Sequence, residues 1–67
     1  MIEIFTGDGC PHCVALKNKL DAASIEYQER NVRQDKAAHA FLAEQGLRSI
    51  PQMFRAGVLV TEEEVLV

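Results

Sequence analysis

Two cysteines spaced three apart, Cys10-Pro11-His12-Cys13, follow closely on a short apolar run, Met1-Ile2-Glu3-Ile4-Phe5, and that arrangement restricts the fold more than any other feature. The run alternates and is β-branched enough for a strand, and Thr6-Gly7-Asp8-Gly9 has the composition of a turn. The second half of the motif therefore opens a helix. Residues i and i+3 of a helix share a face with their β-carbons roughly 5–6 Å apart, so the two sulfurs can meet in a reversible disulfide. Cys10 stands at the helix start, where unpaired N–H groups and the positive end of the macrodipole stabilise a thiolate. It is the expected nucleophile. Pro11 suits the first helical position, having no N–H to leave unpaired and a φ already helical. Cys13, one turn deeper, is the expected resolving thiol.

His12 can donate a hydrogen bond to the Cys10 sulfur or, when charged, pair with its thiolate. The helix N-terminus disfavours an imidazolium and a thiolate favours it, so the two groups titrate as a coupled pair. A stabilised leaving thiolate eases reduction, which predicts a more oxidising couple than the same motif without the histidine. The other uses of paired cysteines fit less well. A closed zinc site takes four ligands, and the sequence offers only Cys10, Cys13, His12 and the distant His39. No secretory signal precedes the first strand, so a cytoplasmic location is expected, where two cysteines point to catalysis rather than to a structural disulfide.

Sixty-seven residues make one domain, residues 1–67, with a small core in which apolar burial and lost conformational entropy nearly balance. Composition is that of an ordinary globular chain, 48% hydrophobic and 25% charged. No stretch is long enough for a membrane span. The net charge of −3, without a Lys/Arg cluster, argues against nucleic-acid and anionic-membrane surfaces.

Periodicity beyond the motif gives a β-α-β-α-β-β order. Cys13, Leu16, Leu20 and Ala23 share one face of the first helix, with Lys17 and Lys19 turned to solvent, and Ser24 ends the pattern. Ile25 to Val32 reads as a second strand. Asp35 caps a helix through Gln45 with Ala38, Phe41 and Leu42 inward and His39 on the surface, and Gly46 is a left-handed terminator. Gln52-Met53-Phe54 and Val58-Leu59-Val60 form a hairpin about Ala56-Gly57, with Pro51 tolerated at the strand's beginning.

Gly9-Cys10-Pro11-His12-Cys13, Lys17 and the downstream Ser49-Ile50-Pro51-Gln52-Met53-Phe54, in this order and at this separation, resemble a glutaredoxin of the thioredoxin superfamily over nearly the whole chain. The resemblance implies an α/β, thioredoxin-like fold, β-α-β-α-β-β, with a mixed four-stranded sheet. It implies a cis Pro51 beside the disulfide, with Ser49 and Ile50 at the substrate and the Ile50 backbone pairing with an extended thiol peptide. It implies a thiol–disulfide oxidoreductase with no bound cofactor, glutathione as co-substrate and a disulfide-containing protein as substrate.

The sequence also departs from the family pattern. The basic residue many glutaredoxins carry three before the first cysteine is Gly7 here. The Gly-Gly segment that receives the γ-glutamyl end aligns with Thr61-Glu62-Glu63-Glu64-Val65, without glycines. Thr61 with Glu64 makes a capping box, so a helix begins there and its N–H groups, with Thr61 and Glu62, are the candidate glutathione contacts, against the screened repulsion of three glutamates. The third helix is truncated at Val67, which predicts an open apolar patch beside the last hairpin (Val58, Val60, Leu66) and self-association or docking there. Three alternatives stand beside a glutathione-coupled thioltransferase. They are a redoxin taking electrons from thioredoxin reductase for ribonucleotide reductase, a metal or iron–sulfur module with Cys10 as ligand across a dimer, and an oxidant.

Overall fold

The computed structural model describes residues 1–66, so Val67, the last residue of the expected truncated helix, lies outside the described residues. The elements run β1 (Ile2–Thr6), α1 (Pro11–Ala22), β2 (Tyr27–Asn31), α2 (Lys36–Glu44), β3 (Gln52–Arg55), β4 (Val58–Val60) and α3 (Glu62–Leu66). The strands form one mixed sheet in the order β2-β1-β3-β4, with β1 and β2 parallel and the other pairs antiparallel. The thioredoxin-like α/β expectation therefore holds.

Strand alternation divides the core in two. Ile2 and Ile4 of β1 point to one face, where they meet Leu16 and Leu20 of α1 and Met53 of β3, with Val60, Val65 and Leu66 packed at the edge. Phe5 and Phe54 point to the other face and meet Ala38 and Leu42 of α2, flanked by Phe41, Leu47 and Ile50. The second face is aromatic: the Phe5 and Phe41 rings stack at 5.3 Å, and Phe54 meets both edge-on at 5.4 and 5.0 Å. Arg30 of β2 lies 5.4 Å above the Phe5 ring and reaches Glu3 and Asp35 at 3.6 and 3.2 Å, tying strand, sheet and the α2 cap together.

Both long helices end in the same hydrogen-bond pattern. At α1 the Ser24 N–H donates to the Asp21 carbonyl and the Ile25 N–H to the Leu20 carbonyl; at α2 Gly46 donates to Ala43 and Leu47 to Leu42. These are Schellman closures, with Ser24 and Gly46 in the left-handed region at φ 57° and 74°. The closure at α1 explains two differences from the sequence reading. Ile25 spends its N–H on the helix end, so β2 starts at Tyr27 rather than at Ile25; Ala23 is the cap residue, and it is exposed instead of facing the core.

The hairpin turns on Ala56 and Gly57, both at positive φ, as a two-residue turn between β3 and β4 requires. The short α3 covers more of the expected apolar patch than anticipated. Val60, Val65 and Leu66 are partly buried against the Leu16–Leu20 cluster, whereas Val58 and Leu59 remain 64% and 47% exposed. Among the described residues, no helix is long and apolar enough to cross a membrane.

Candidate functional site

The loop from β1 to α1 sets the two cysteines. Gly9 adopts φ 64°, which a side chain resists, and Cys10 is extended at φ −109° and ψ 97°, so the helix begins only after it. Asp8 anchors this loop from the opposite side: Asn31 Nδ2 and Gln34 Nε2 donate to its Oδ1 at 2.9 and 3.3 Å. Cys10 is the N-cap and Pro11 the first helical residue, as the motif predicts. The Cys10 carbonyl accepts from the amides of Cys13 and Val14 at 3.1 and 3.2 Å.

Cys10 and Cys13 form a disulfide with Cα atoms 5.3 Å apart. Cys10 is partly exposed and Cys13 is buried at 2%. The Cys10 Sγ accepts a hydrogen bond from the Cys13 amide at 3.1 Å. The donor at that sulfur is thus a backbone N–H of the first helical turn; the His12 ring is exposed and makes no hydrogen bond to Cys10 among the described residues. The first turn of α1 holds no acidic side chain, so the positive helix end facing Cys10 is uncompensated.

Ile50-Pro51 is a cis peptide, as the family resemblance implies. Gln52 braces the loop, donating from Nε2 to both the carbonyl and the hydroxyl of Ser49 at 3.1 Å, so the Ser49 Oγ already has a partner. His12, Ile50, Pro51, Thr61 and Glu62 line one groove of about 480 Å³ with Ala15, Lys19 and Val60. The structure thus brings His12, Ile50, Pro51, Thr61 and Glu62 together from three separate segments, whereas Cys10, Pro11, Cys13 and Ser49 do not line this groove. The polar groups at the far end of this groove are engaged: Lys19 Nζ pairs with Glu62 at 3.1 Å, the Thr61 N–H donates to Glu64 Oε1 at 3.2 Å, and the Glu64 N–H returns a bond to Thr61 Oγ1 at 3.2 Å. The capping box is present as expected.

Gly7 does more than lack a basic side chain. A Cβ placed there would come within 2.6 Å of Ile50 Cδ1, so the absence of one lets Ile50 lean against the β1–α1 loop.

Sequence reading missed a polar network beneath the start of α1. Thr6, buried at 1%, donates to Glu29 Oε2 at 2.7 Å, and Lys17 Nζ reaches the same oxygen at 2.9 Å. Lys17 therefore does not turn freely to solvent. The Thr6 hydroxyl first, then Lys17, holds the Glu29 carboxyl below its usual pKa. The signal available in the sequence was a lone threonine and glutamate in two strands, which nothing local connects. Among the described residues, no three His, Cys, Asp or Glu side chains converge as metal ligands.

Comparison with known proteins agrees with this geometry. The glutaredoxin family model matches residues 2–60. No relative among curated proteins matches the chain. Among solved structures, the thioredoxin-like protein BC3987 superposes with a TM-score of 0.83 at 30% identity over 97% of this chain and 94% of its own. The glutaredoxin-like NrdH-redoxin from Escherichia coli, described as having a thioredoxin-like activity profile, gives 0.80 at 25% identity over 90% and 79%. A buckwheat glutaredoxin–glutathione complex gives 0.72 at 24% identity over 88% and 57%, a likeness of fold. With a matching family model, the thioredoxin-like fold and a disulfide-forming pair at a helix start, this chain belongs to the glutaredoxin family and is a thiol–disulfide oxidoreductase.

Proposed function

We propose that the protein reduces protein disulfides through Cys10 attack and Cys13 resolution. The observation that carries this division of roles is the unequal exposure of the pair: a partly exposed Cys10 at an uncompensated helix N-terminus, and a buried Cys13 whose amide donates to the Cys10 sulfur. The Cys10 thiolate attacks one sulfur of the substrate disulfide. The Cys10–substrate bond forms as the substrate S–S bond breaks, and the departing thiolate takes a proton. Cys13 then loses its proton and attacks Cys10, releasing the second substrate thiol and closing the Cys10–Cys13 bond. A thiol donor returns the two electrons. The N–H and C=O of Ile50, beside Pro51, offer the substrate a strand-like pairing edge.

Cys10→Ser is expected to abolish turnover, and Cys13→Ser to trap a mixed disulfide visible by intact mass while sparing reactions that an external thiol can resolve. Equal and complete loss in both, with no trapped adduct, would refute the assignment.

Two electron sources fit the family, glutathione and thioredoxin reductase. The engaged groups at Thr61 and Glu64, the Lys19–Glu62 pair, the three glutamates of α3 and the bare Gly7 favour the reductase, since they leave the groove few contacts for the two glutathione carboxylates. An NADPH-coupled assay decides between them. Oxidation of NADPH through thioredoxin reductase, with little through glutathione and glutathione reductase, is the expected result; the reverse rate order would make glutathione the donor.

A further inference from the structure

Between Thr6, the last residue of β1, and Cys10 the chain runs Gly7-Asp8-Gly9, so Asp8 carries the only side chain that can hold the nucleophile's loop. Two glycines in three residues give this loop much backbone freedom to lose. Asp8 removes it. Its Oδ1 accepts from Asn31 Nδ2 at 2.9 Å and from Gln34 Nε2 at 3.3 Å, which ties the loop to the end of β2 and the segment beyond. Asn31 is itself fixed. It faces Thr6 in the last register pair of β1 and β2, and its carbonyl accepts from the Gln34 and Asp35 amides at 3.1 and 2.8 Å. Its Oδ1 accepts from the Arg33 N–H at 2.9 Å, leaving Nδ2 as the end that serves Asp8. Both partners of the Asp8 carboxylate are neutral amides, and among the described residues no cation lies within ion-pairing distance of it. The loop before Cys10 is thus held by an anion whose charge is not cancelled.

We propose that Asp8 is a positioning residue for Cys10: bound to Asn31 and Gln34, its carboxylate fixes the loop that aims the sulfur and is itself kept from swinging toward it. The inference rests on the reading of Cys10 as the attacking thiol and deepens it. The first effect is geometric. Closing the Cys10–Cys13 bond requires the Cys10 sulfur to lie where Cys13 can reach it, and Cys10, as N-cap, takes its place from the loop in front of it. The second effect is electrostatic. On the elements that meet the loop, the cationic or titratable groups are His12 and Lys17 of α1, Arg48 before Ile50, and Arg33, whose Nε lies 3.9 Å from the place a Gly7 Cβ would occupy. The carboxylates there are Glu29 and Asp35, already paired with Lys17 and Arg30, and Asp8. A free carboxylate two residues from Cys10 would oppose its thiolate. Anchored at the end of β2 it opposes the thiolate less, because repulsion falls with distance.

The test follows pre-reduced protein through a single turnover with dipyridyl disulfide, a neutral reagent whose released thiopyridone absorbs. Cys10 attacks one sulfur, forming the Cys10–pyridyl disulfide as the reagent's S–S bond breaks and the first thiopyridone leaves. Cys13 then gives up its proton, attacks the Cys10 sulfur, closes the Cys10–Cys13 bond and expels the second. Asp8 is exposed, so Asp8→Ala and Asp8→Asn are expected to fold normally. Asp8→Ala should slow the second release about fivefold, and Asp8→Asn should restore most of that rate, since its amide oxygen still accepts from Asn31. Asn31→Ala, which frees the carboxylate, should raise the pH midpoint of the first release, and adding Asp8→Ala to it should cancel the rise. If Asn31→Ala does not fold, Gln34→Ala, which removes only an exposed side chain, reads the same shift with smaller amplitude. A second release equally fast in wild type and Asp8→Ala would overturn the positioning. A midpoint unmoved in both Asn31→Ala and Gln34→Ala would overturn the hold on the charge. Peptide mapping in a Cys13→Ser background tests the underlying assignment separately: absence of the pyridyl adduct from Cys10 refutes the nucleophile role, whatever the Asp8 rates.

Discussion

The two faces of the sheet are built on different principles. The α2 face is held by three interlocked phenylalanine rings, Phe5, Phe41 and Phe54, and by the Arg30 side chain spanning Glu3 and Asp35. The α1 face is aliphatic at its centre, Ile2, Ile4, Leu16, Leu20 and Met53, and polar at the end nearest the cysteines, where Thr6, Glu29 and Lys17 share one carboxylate oxygen. The three rings pack without a polar group between them; the other face places Thr6, the only buried polar side chain among the described residues, just before the redox loop. The contrast separates a scaffold from a working side. Protonation of Glu29 should act on the buried polar end of the α1 face, whereas anything that alters the fold as a whole should act most strongly through the rings.

The sharpest way to break that contrast is to remove a ring. Phe54 is 2% exposed and touches both other phenylalanines edge-on. Truncation to alanine should cost about 3–5 kcal/mol, the usual range for a buried phenylalanine. A single core in a chain of this size supplies only about 3–5 kcal/mol in total. Phe54→Ala is therefore expected to be largely unfolded at 25 °C by circular dichroism. A cooperative urea transition close to that of the wild type would remove the aromatic cluster from its place as the principal scaffold.

A smaller effect is expected from the polar end of the α1 face. Thr6→Val keeps the shape of a fully buried side chain but deletes the donor to Glu29 Oε2, with an expected cost of about 1–2 kcal/mol at neutral pH. The pH dependence gives the sign. The Glu29 pKa is lowered in the folded protein, so its contribution is present above the unfolded glutamate value of about 4.3 and is lost as pH falls through the depressed folded value. The stability gap between wild type and Thr6→Val should thus narrow between pH 7 and pH 3 in urea titrations. A gap of equal size at both ends would mean that the threonine acts by packing alone.

Features that depend on a few neighbouring residues were legible in the sequence: the strand leading to Cys10, Pro11 at the first helical position, the Asp35 cap, the Gly46 terminator and the Thr61–Glu64 box each carry a local rule. What was not legible depends on tertiary proximity. Lys17 looks like a solvated helix lysine until β2 brings Glu29 under it, and Gln52 looks like an ordinary strand residue until the turn at Pro51 folds Ser49 back onto it. The hollow between α2 and the segment leading to Pro51 is of the same kind, for His39 and Arg48 come to line it together with Val32 and Ile50 only in the folded chain. The start of β2 was misread because Ser24 takes a left-handed conformation that its identity does not advertise.

That serine gives the smallest test of the comparison, because each face carries one helix with the same closure and a different residue in it. Gly46 takes φ 74° without steric cost, and a Cβ there would meet nothing within 4 Å, so only backbone preference opposes a side chain. Ser24 takes φ 57° with a Cβ already present. The left-handed region costs a non-glycine residue roughly 1 kcal/mol, offset in part by the larger unfolded-state entropy of glycine. Ser24→Gly should therefore stabilise the protein by about 0.5 kcal/mol, or roughly 2–4 °C in Tm for a domain of this size. Gly46→Ala should destabilise it by about 1 kcal/mol. Opposite shifts from opposite exchanges at matched positions would show that the two helix ends obey one backbone rule, with the α1 end left unoptimised. If Ser24→Gly lowers Tm instead, the serine side chain contributes more than its left-handed backbone costs.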